Sequence, residues 1–358
     1  HAAAIRLEPG PHGERASAAM RELCAARSIN PETVRLSFGM DPIGLAATGG
    51  GGRAAPWREA HRQWGKLAGE LAADFHGPFL EADGRPYHDG GATEAQELGV
   101  VLATTLAYFR ALEGSVADDL LPRAIGVTLS IDCDLFAGIA KLRAMRQLWR
   151  NLLGASSLTA APLVLHAESS WRMMTAQDTN MNLLRTVAAA FAAGLGGADS
   201  ITVLPHSLVL GLPDGFARRM ARNAQIMLLE EAHLHRVGDP ASGAGYVEAL
   251  TQSLATAAWS IFQGIEKHGG MVAALDSGHV QNMVRVAAGK RSEALQSGRK
   301  TIIGVSEFQA PADDAPAVLD VARREVPELG QAPDDPRIMP SQRLSEPFEE
   351  LQATGASL

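Results

Sequence analysis

The stretch RMMTAQDTNMNLLRTVAAAFAAGLGGADSITVLPHSLVLGLP, residues 172–213, decides the fold. A polar loop leads into the alanine-rich segment Met181 to Leu195, whose residues favour a helix. Gly196-Gly197 ends that helix and turns the chain into Ser200 to Leu204, a short β-branched run of strand type. Loop, helix, glycine turn and strand within about forty residues make one unit of an α/β repeat.

The same alternation continues on both sides. Upstream, strand-like runs are expected at Ala4–Leu7, Thr33–Phe38, Pro78–Glu81, Arg123–Ile131 and Leu163–His166. Helices are expected over Glu14–Arg27, Trp57–Phe75, Thr93–Leu112 and Leu135–Leu153. Thr93 suits an N-cap, with Gln96 as its capping-box partner. Downstream come helical patterns at Phe216–Leu234, Ala244–His268, Met271–Asp276 and Val280–Ser297, then a last strand-like run, Thr301–Val305. Units of roughly 30 to 40 residues without hairpin signals imply parallel strands joined by crossover helices. About six strands are countable, and both an open doubly wound sheet and a closed (β/α)8 barrel fit the pattern. Gly49–Gly52 reads as a surface loop, because it has neither the following Lys-Ser/Thr nor the G-x-G-x-x-G order of a phosphate cradle. From Pro311 the chain is rich in Pro, Asp and Ala and reads as an extended segment.

Bulk properties narrow the function classes. The chain has 358 residues, 46% of them apolar, and a net charge of −8, which argues against a general nucleic-acid binder. No run approaches the roughly 18 to 20 apolar residues that span a bilayer. Cys24 and Cys133 are the only cysteines, so no disulfide framework or thiolate zinc site is expected, and a reduced, cytoplasmic setting fits. His206, His233 and His235 show no metal-ligand spacing, and no metal is expected.

Several long blocks resemble the barrel domain of the methylmalonyl-CoA mutase family, the cobalamin-dependent acyl-CoA mutases. They are GGATEAQELGVVLATTLAYFRALE from Gly90, DLFAGIAKLRAMRQLW from Asp134, HAESSWRMMTAQDTNMNLLRT from His166, and GGADSITVLPHSLVLGLPDGFARRMARNAQ from Gly196. DPASGAGYVEALT from Asp239, HGGMVAALDSG from His268 and SGRKTIIGVSEFQ from Ser297 complete the set. The resemblance implies a TIM-type (β/α)8 barrel over residues 1–310, incomplete at its N-terminus because the family's first strands find no match in this sequence. It implies that 311–358 leads toward a cobalamin-binding domain absent from this chain, since no Asp-x-His-x-x-Gly motif occurs here. The cofactor implied for the family is adenosylcobalamin, and the reaction is interconversion of methylmalonyl-CoA and succinyl-CoA.

The departures from the family pattern are informative. Catalytic members carry a Tyr-His pair before this helix; counting back from Gly91-Ala92 puts Pro86 at the His position, with Tyr87 and His88 two places out of register. In the family's Leu-Arg-x-His-x-Gln frame, Val164 replaces Arg, His166 is kept and Glu168 replaces Gln. In its cobalamin-facing segment, Asp199 replaces Gln, Thr202 replaces His and Leu204 replaces Asn. The pocket candidates are therefore His88, His166, Glu168 and Asp199, with no catalytic residue assigned. For His88 the plain alternative is a solvent-facing loop side chain; for His166 it is a hydrogen-bonded core residue. The pattern is nearer that of the family's small, non-catalytic subunits, which implies a large catalytic subunit as heterodimer partner. An active acyl-CoA mutase using a separate cobalamin chain, and an acyl-CoA-binding regulatory barrel, are the alternatives.

Overall fold

The computed structural model describes residues 4–49, 57–309, 316–321 and 337–353. In chain order its first half contains β1 (Ile5–Arg6), α1 (Gly13–Ala26), β2 (Leu36–Ser37), α2 (Pro42–Ala47), α3 (Trp57–Ala72), β3 (Leu80–Asp83), α4 (Arg85–Asp89) and α5 (Glu94–Leu112). It continues with α6 (Leu121–Ala124), β4 (Ile125–Ile131), α7 (Leu135–Ala155), β5 (Leu165–Ser169), α8 (Met181–Leu195) and β6 (Ser200–Thr202). The remainder is helical: α9 (Gly215–Glu230), α10 (Gly245–Lys267), α11 (Met271–Asp276), α12 (His279–Gln296) and α13 (Glu346–Ala353).

Strand order chooses between the two architectures that the pattern allows. β3, β4, β5 and β6 form one parallel sheet in chain order, and β1 pairs in parallel with β2. A parallel bridge from Met40 to Leu80 joins the pairs, supported by Phe38 N to Pro78 O at 2.9 Å and Glu81 N to Met40 O at 2.9 Å. The strands thus follow one another without the reversal that defines a doubly wound sheet. The sheet is also curved. Arg6 on β1 donates to Thr128 Oγ1 on β4 at 2.9 Å, although three strand spacings of about 4.8 Å separate them along the sheet. A curved parallel sheet in sequential order is barrel-type. The described residues supply six of its strands, and none of them joins β6 to β1, so a closed ring of eight is not seen.

Packing follows from alternation along the strands. Leu80, Ala82, Val127, Leu129, Ile131, Leu165 and Ala167 point outward into the main core, where α5 and α7 cover them with Leu98, Leu102, Leu142 and Met145. The capping box of Thr93 and Gln96 starts α5 as expected. α10 lies across α5 and α7 as a second helical layer. That layer comes close because Gly99 has no side chain: a Cβ there would lie 2.7 Å from Ile261 Cγ2 and 2.9 Å from Ala258 O.

Two expectations need correction. Thr301–Val305 is not a strand. Gly304 sits at φ +81°, which interrupts an extended run, and the segment is a turn bridged from Ile303 to Glu307. The polar segment before α5 is also not an open loop, because Arg85–Asp89 is helical and covered. Gly50–Gly52 of the glycine run and residues 311–315, 322–336 and 354–358 of the C-terminal segment lie outside the described residues. Of that segment, Leu319 N bonds Leu212 O at 2.8 Å and Leu344 N bonds Arg172 O at 2.9 Å, and Met339 and Phe348 are buried. Among the described residues no helix is long and apolar enough to cross a membrane.

Close packing at Gly99 reverses the usual effect of a helical glycine. Gly264 on α10 faces open space, so Gly264→Ala should stabilise by about 0.5–1 kcal/mol. Gly99→Val should instead destabilise by about 1–3 kcal/mol through overpacking. Urea midpoints of the two variants should move in opposite directions.

Candidate functional site

The inner positions of the strands are polar, the reverse of a barrel packed with branched aliphatics. Register places them in layers: Glu81 beside Gly126, then Asp83, Thr128, His166 and Ser200, then Ser130, Glu168 and Thr202. Gly126 makes room for the Glu81 carboxylate, since a Cβ there would lie 2.7 Å from Glu81 Oε2. Thr128 Oγ1 donates to Glu81 Oε1 at 2.6 Å. Burial pushes the Glu81 carboxyl up against the pull of Arg6 and the Thr128 hydrogen bond.

Arg85, at the start of α4, reaches across this face. Its Nε donates to Asp83 Oδ1 at 3.0 Å and Oδ2 at 2.9 Å, and Nη2 to Oδ2 at 2.7 Å. Its Nη1 donates to Glu168 Oε2 at 2.9 Å and Glu8 Oε1 at 2.8 Å. Residues from the end of β1, from β3 and from β5 are thus clamped by one guanidinium. Burial alone would raise the Glu8 carboxyl; Arg85 and Arg6 overcome it and hold the group near 2. Burial raises Glu168 despite Arg85. Burial, with the charges of Arg6 and Arg85, pushes His166 down to about 3. The neutral ring bonds Ser200 Oγ through Nδ1 at 2.7 Å and Thr202 Oγ1 through Nε2 at 3.1 Å.

A second charged network lies at the C-terminal ends of β4 and β5. His88 Nδ1 meets Glu97 Oε2 at 2.7 Å, and Nε2 meets Ser170 Oγ at 3.0 Å and Asp132 Oδ1 at 3.2 Å. Lys141 Nζ donates to the same Glu97 oxygen and, at 2.7 Å, to Ser130 O. Arg172 donates to Asp132 and, at 2.7 Å, to Ala92 O. His88, Glu97, Lys141 and Arg172 are all buried. Burial and Arg172 oppose protonation of His88, but Asp132 and Glu97 prevail and raise its pKa. Burial likewise works against Glu97 and Asp132 as anions, and the cations around them hold both below the usual carboxylate range.

The four sequence candidates separate accordingly. His166 and Glu168 share the inner face. His88 is not solvent-facing: α4 folds it completely under the sheet's end, 0% exposed. Asp199 precedes β6 at the opposite end and serves the backbone, its Oδ2 accepting from Leu165 N at 2.8 Å and Arg146 Nη2 at 3.1 Å. It is not gathered with the other three. Sequence reasoning missed Arg85, Glu8, Arg6 and Glu81. The signal available was Glu81 and Asp83 at i and i+2 in a strand, the spacing that puts two carboxylates on one buried face. No group of three or more His, Cys, Asp or Glu suited to a metal ion occurs among the described residues.

Two outcomes follow. Arg85→Ala would strand Asp83 and Glu168, while Glu8 keeps Arg6, and should cost about 3–5 kcal/mol, with Glu168→Gln in the same chain recovering part of the loss in a denaturant titration. The raised pKa of His88 means its contribution is complete below about 6.5 and fades as pH rises through the folded-state value. The stability gap between the parent chain and His88→Gln should therefore shrink from pH 6 toward alkaline pH. A gap constant with pH would refute the charged assignment.

A sequence profile described as methylmalonyl-CoA mutase matches residues 79–332. The chain is 39% identical over 366 residues to the methylmalonyl-CoA mutase small subunit of Streptomyces virginiae, covering 98% of this chain and 56% of that protein. It is 38% identical over 289 residues to the small subunit of Propionibacterium freudenreichii subsp. shermanii, covering 79% and 44%. Against the methylmalonyl-CoA mutase of Escherichia coli K12 it is 35% identical over 242 residues, covering 66% and 34%. The chain spans about half the length of the small subunits it matches. With a curved parallel sheet and these matches, the chain belongs to the methylmalonyl-CoA mutase family.

Proposed function

We propose that this chain is the barrel portion of a small-subunit-type methylmalonyl-CoA mutase component, non-catalytic itself and supporting a large catalytic subunit in a heterodimer. The observation that carries this reading is the Arg85 clamp. An acyl-CoA threading the barrel would need the inner face, and here ion pairs fill it. The charge is also wrong for an anionic acyl group: among the described residues, Glu8, Glu81, Asp83 and Glu168 face the cations Arg6 and Arg85. Buried carboxylates that already bind their cations have nothing further to offer a substrate anion.

The inner-face imidazoles offer no free nitrogen to adenosylcobalamin, which the family implies. His88 and His166 have both ring nitrogens in hydrogen bonds; His206 lies away from them, buried against Phe216 with its Nδ1 unpartnered among the described residues. At the end of β5, Ser169 Oγ is taken by Leu204 N at 2.8 Å. The radical chemistry that cobalamin supplies is accordingly assigned to the partner and not to this chain.

Calorimetric titration of the chain with methylmalonyl-CoA, and separately with a large mutase subunit from the same source, tests the reading. Saturable heat with the subunit and none with the CoA ester is expected. Isomerisation of methylmalonyl-CoA by the chain with added adenosylcobalamin and no large subunit would overturn it.

A further inference from the structure

One narrow line of side chains fastens α9 to the rest of the molecule. Ala217, Ala221 and Leu228, spaced i, i+4 and i+11, are its buried residues. Ala221 and Leu228 pack with Ala190 and Val203 in a small cluster separate from the main core. At 3.6 residues per turn, the positions just before and just after these three form two further lines, about 100° to either side. One line is Phe216, Met220 and Met227; the other is Arg218, Arg222 and Leu229. Arg219 and Ile226 lie between the two, on the side away from the buried line.

A surface helix ordinarily turns charged and polar side chains to water. The outward side of α9 is instead cationic and apolar. Phe216, Ile226, Met227 and Leu229 are 52%, 45%, 38% and 47% exposed. Arg218, Arg219 and Arg222 are exposed as well, and none of them pairs with a carboxylate among the described residues. Arg218 Nε donates to Pro213 O at 2.9 Å, Arg219 lies 5.8 Å from the centre of the Phe216 ring, and Arg222 Nη2 reaches Asn223 Oδ1 at 3.3 Å. Glu230, the last residue, is the single carboxylate within Gly215–Glu230, although the whole chain carries a net charge of −8.

Single exposed apolar side chains need no explanation. Four on one helix, interleaved with three guanidiniums that lack counter-charges, do need one. Phe, Met and Arg are the types enriched where proteins meet, and the weakly hydrated guanidinium is the cation best suited to an interface ion pair.

We propose that the outward side of α9 docks an acidic, amphipathic segment of a partner protein, its carboxylates meeting Arg218, Arg219 and Arg222 and its apolar side chains meeting Ile226, Met227 and Leu229. Resting on the function proposed above, that partner is the large mutase subunit. A second copy of this chain is a poor occupant, because a two-fold contact sets the same patch against itself, one cationic face against another.

The test is calorimetric titration of the full chain with the large subunit from the same source, at low and at high salt. The triple variant Arg218→Gln, Arg219→Gln, Arg222→Gln should weaken binding by about tenfold at low salt, as three exposed ion pairs require. The gap should narrow at high salt, where exposed charges are screened. Ile226→Ser with Leu229→Ser should weaken binding at both. Because all these side chains are exposed, the urea midpoints of the variants should stay near the parent's. A control that removes equal charge from exposed positions elsewhere, Arg15→Gln with Arg27→Gln and Arg150→Gln, should bind as the parent does. If the parent binds and the α9 variants bind equally well, or the control weakens binding as much, the docking surface is wrong and the proposed function stands. If the parent does not bind, both fall. Self-association of the chain, or flotation with phosphatidylserine vesicles, that is lost in the triple variant would put a second copy or a membrane on α9 and overturn the proposal.

Discussion

Everything at the centre of this molecule depends on pairing charge away from water. An unpaired ion in a protein interior costs several kcal/mol, and a pair recovers that only when its geometry and remaining hydrogen bonds are satisfied. A sheet whose inner positions read Glu81, Asp83, Thr128, His166 and Glu168 could not curl on itself without cations to meet the carboxylates. Arg85 and Arg6 provide them. Because Arg6 belongs to β1 and Glu8 follows directly, the same ion pairs tie the short first strand to β3, β4 and β5. β1 and β2 share only two residue pairs, too few to hold a strand independently, so the clamp makes the sheet continuous across the interior as well as along its edges.

The outer face obeys a different rule. There the side chains are apolar, the helices are packed on them, and specificity comes from shape. Gly99 lets α10 approach α5. Gly138 does the same between α7 and α8, where a Cβ would meet Ala192 and Ile131 at 3.0 Å. Between the two regimes sits the network of His88, Glu97, Lys141, Asp132 and Arg172, joining α4, α5 and α7 to the loops after β4 and β5. Charges alternate along it, which is why burial fails to neutralise its carboxylates: every anion there touches a cation.

How far sequence reasoning reached is explained by what each feature depends on. Met181–Leu195 is recovered residue for residue because alanine content, the Gly196-Gly197 stop and helical period all agree locally. The capping box at Thr93 is equally local. Thr301–Val305 is not a strand despite its β-branched composition, because Gly304 takes a left-handed backbone in the middle of the run. The burial of His88 escapes the sequence for a different reason. Its burial is decided by Glu97, Asp132 and Ser170, which lie 9, 44 and 82 residues away, and no local pattern carries that information. Asp199 is singled out by the family pattern alone, and its carboxylate fastens the start of β5, a contact that no local pattern announces.

The departure at Arg85-Pro86 joins these threads. Proline lacks an N–H and fixes φ, which suits the first turn of a helix, and α4 begins here, with Pro86 in its first turn. Once that short helix forms, Arg85 is left at the mouth of the strands with its fork over Asp83 and Glu168, while His88, three residues on, turns into the network with Glu97. By the family resemblance these two positions carry Tyr and His in catalytic members. On the reading proposed above, exchanging that pair for Arg-Pro does more than remove two functional groups. It installs the cation that neutralises the inner carboxylates and the helix start that buries His88. Restoring the pair would remove the clamp, so a return to the catalytic residues would first have to solve the problem of four carboxylates with one guanidinium.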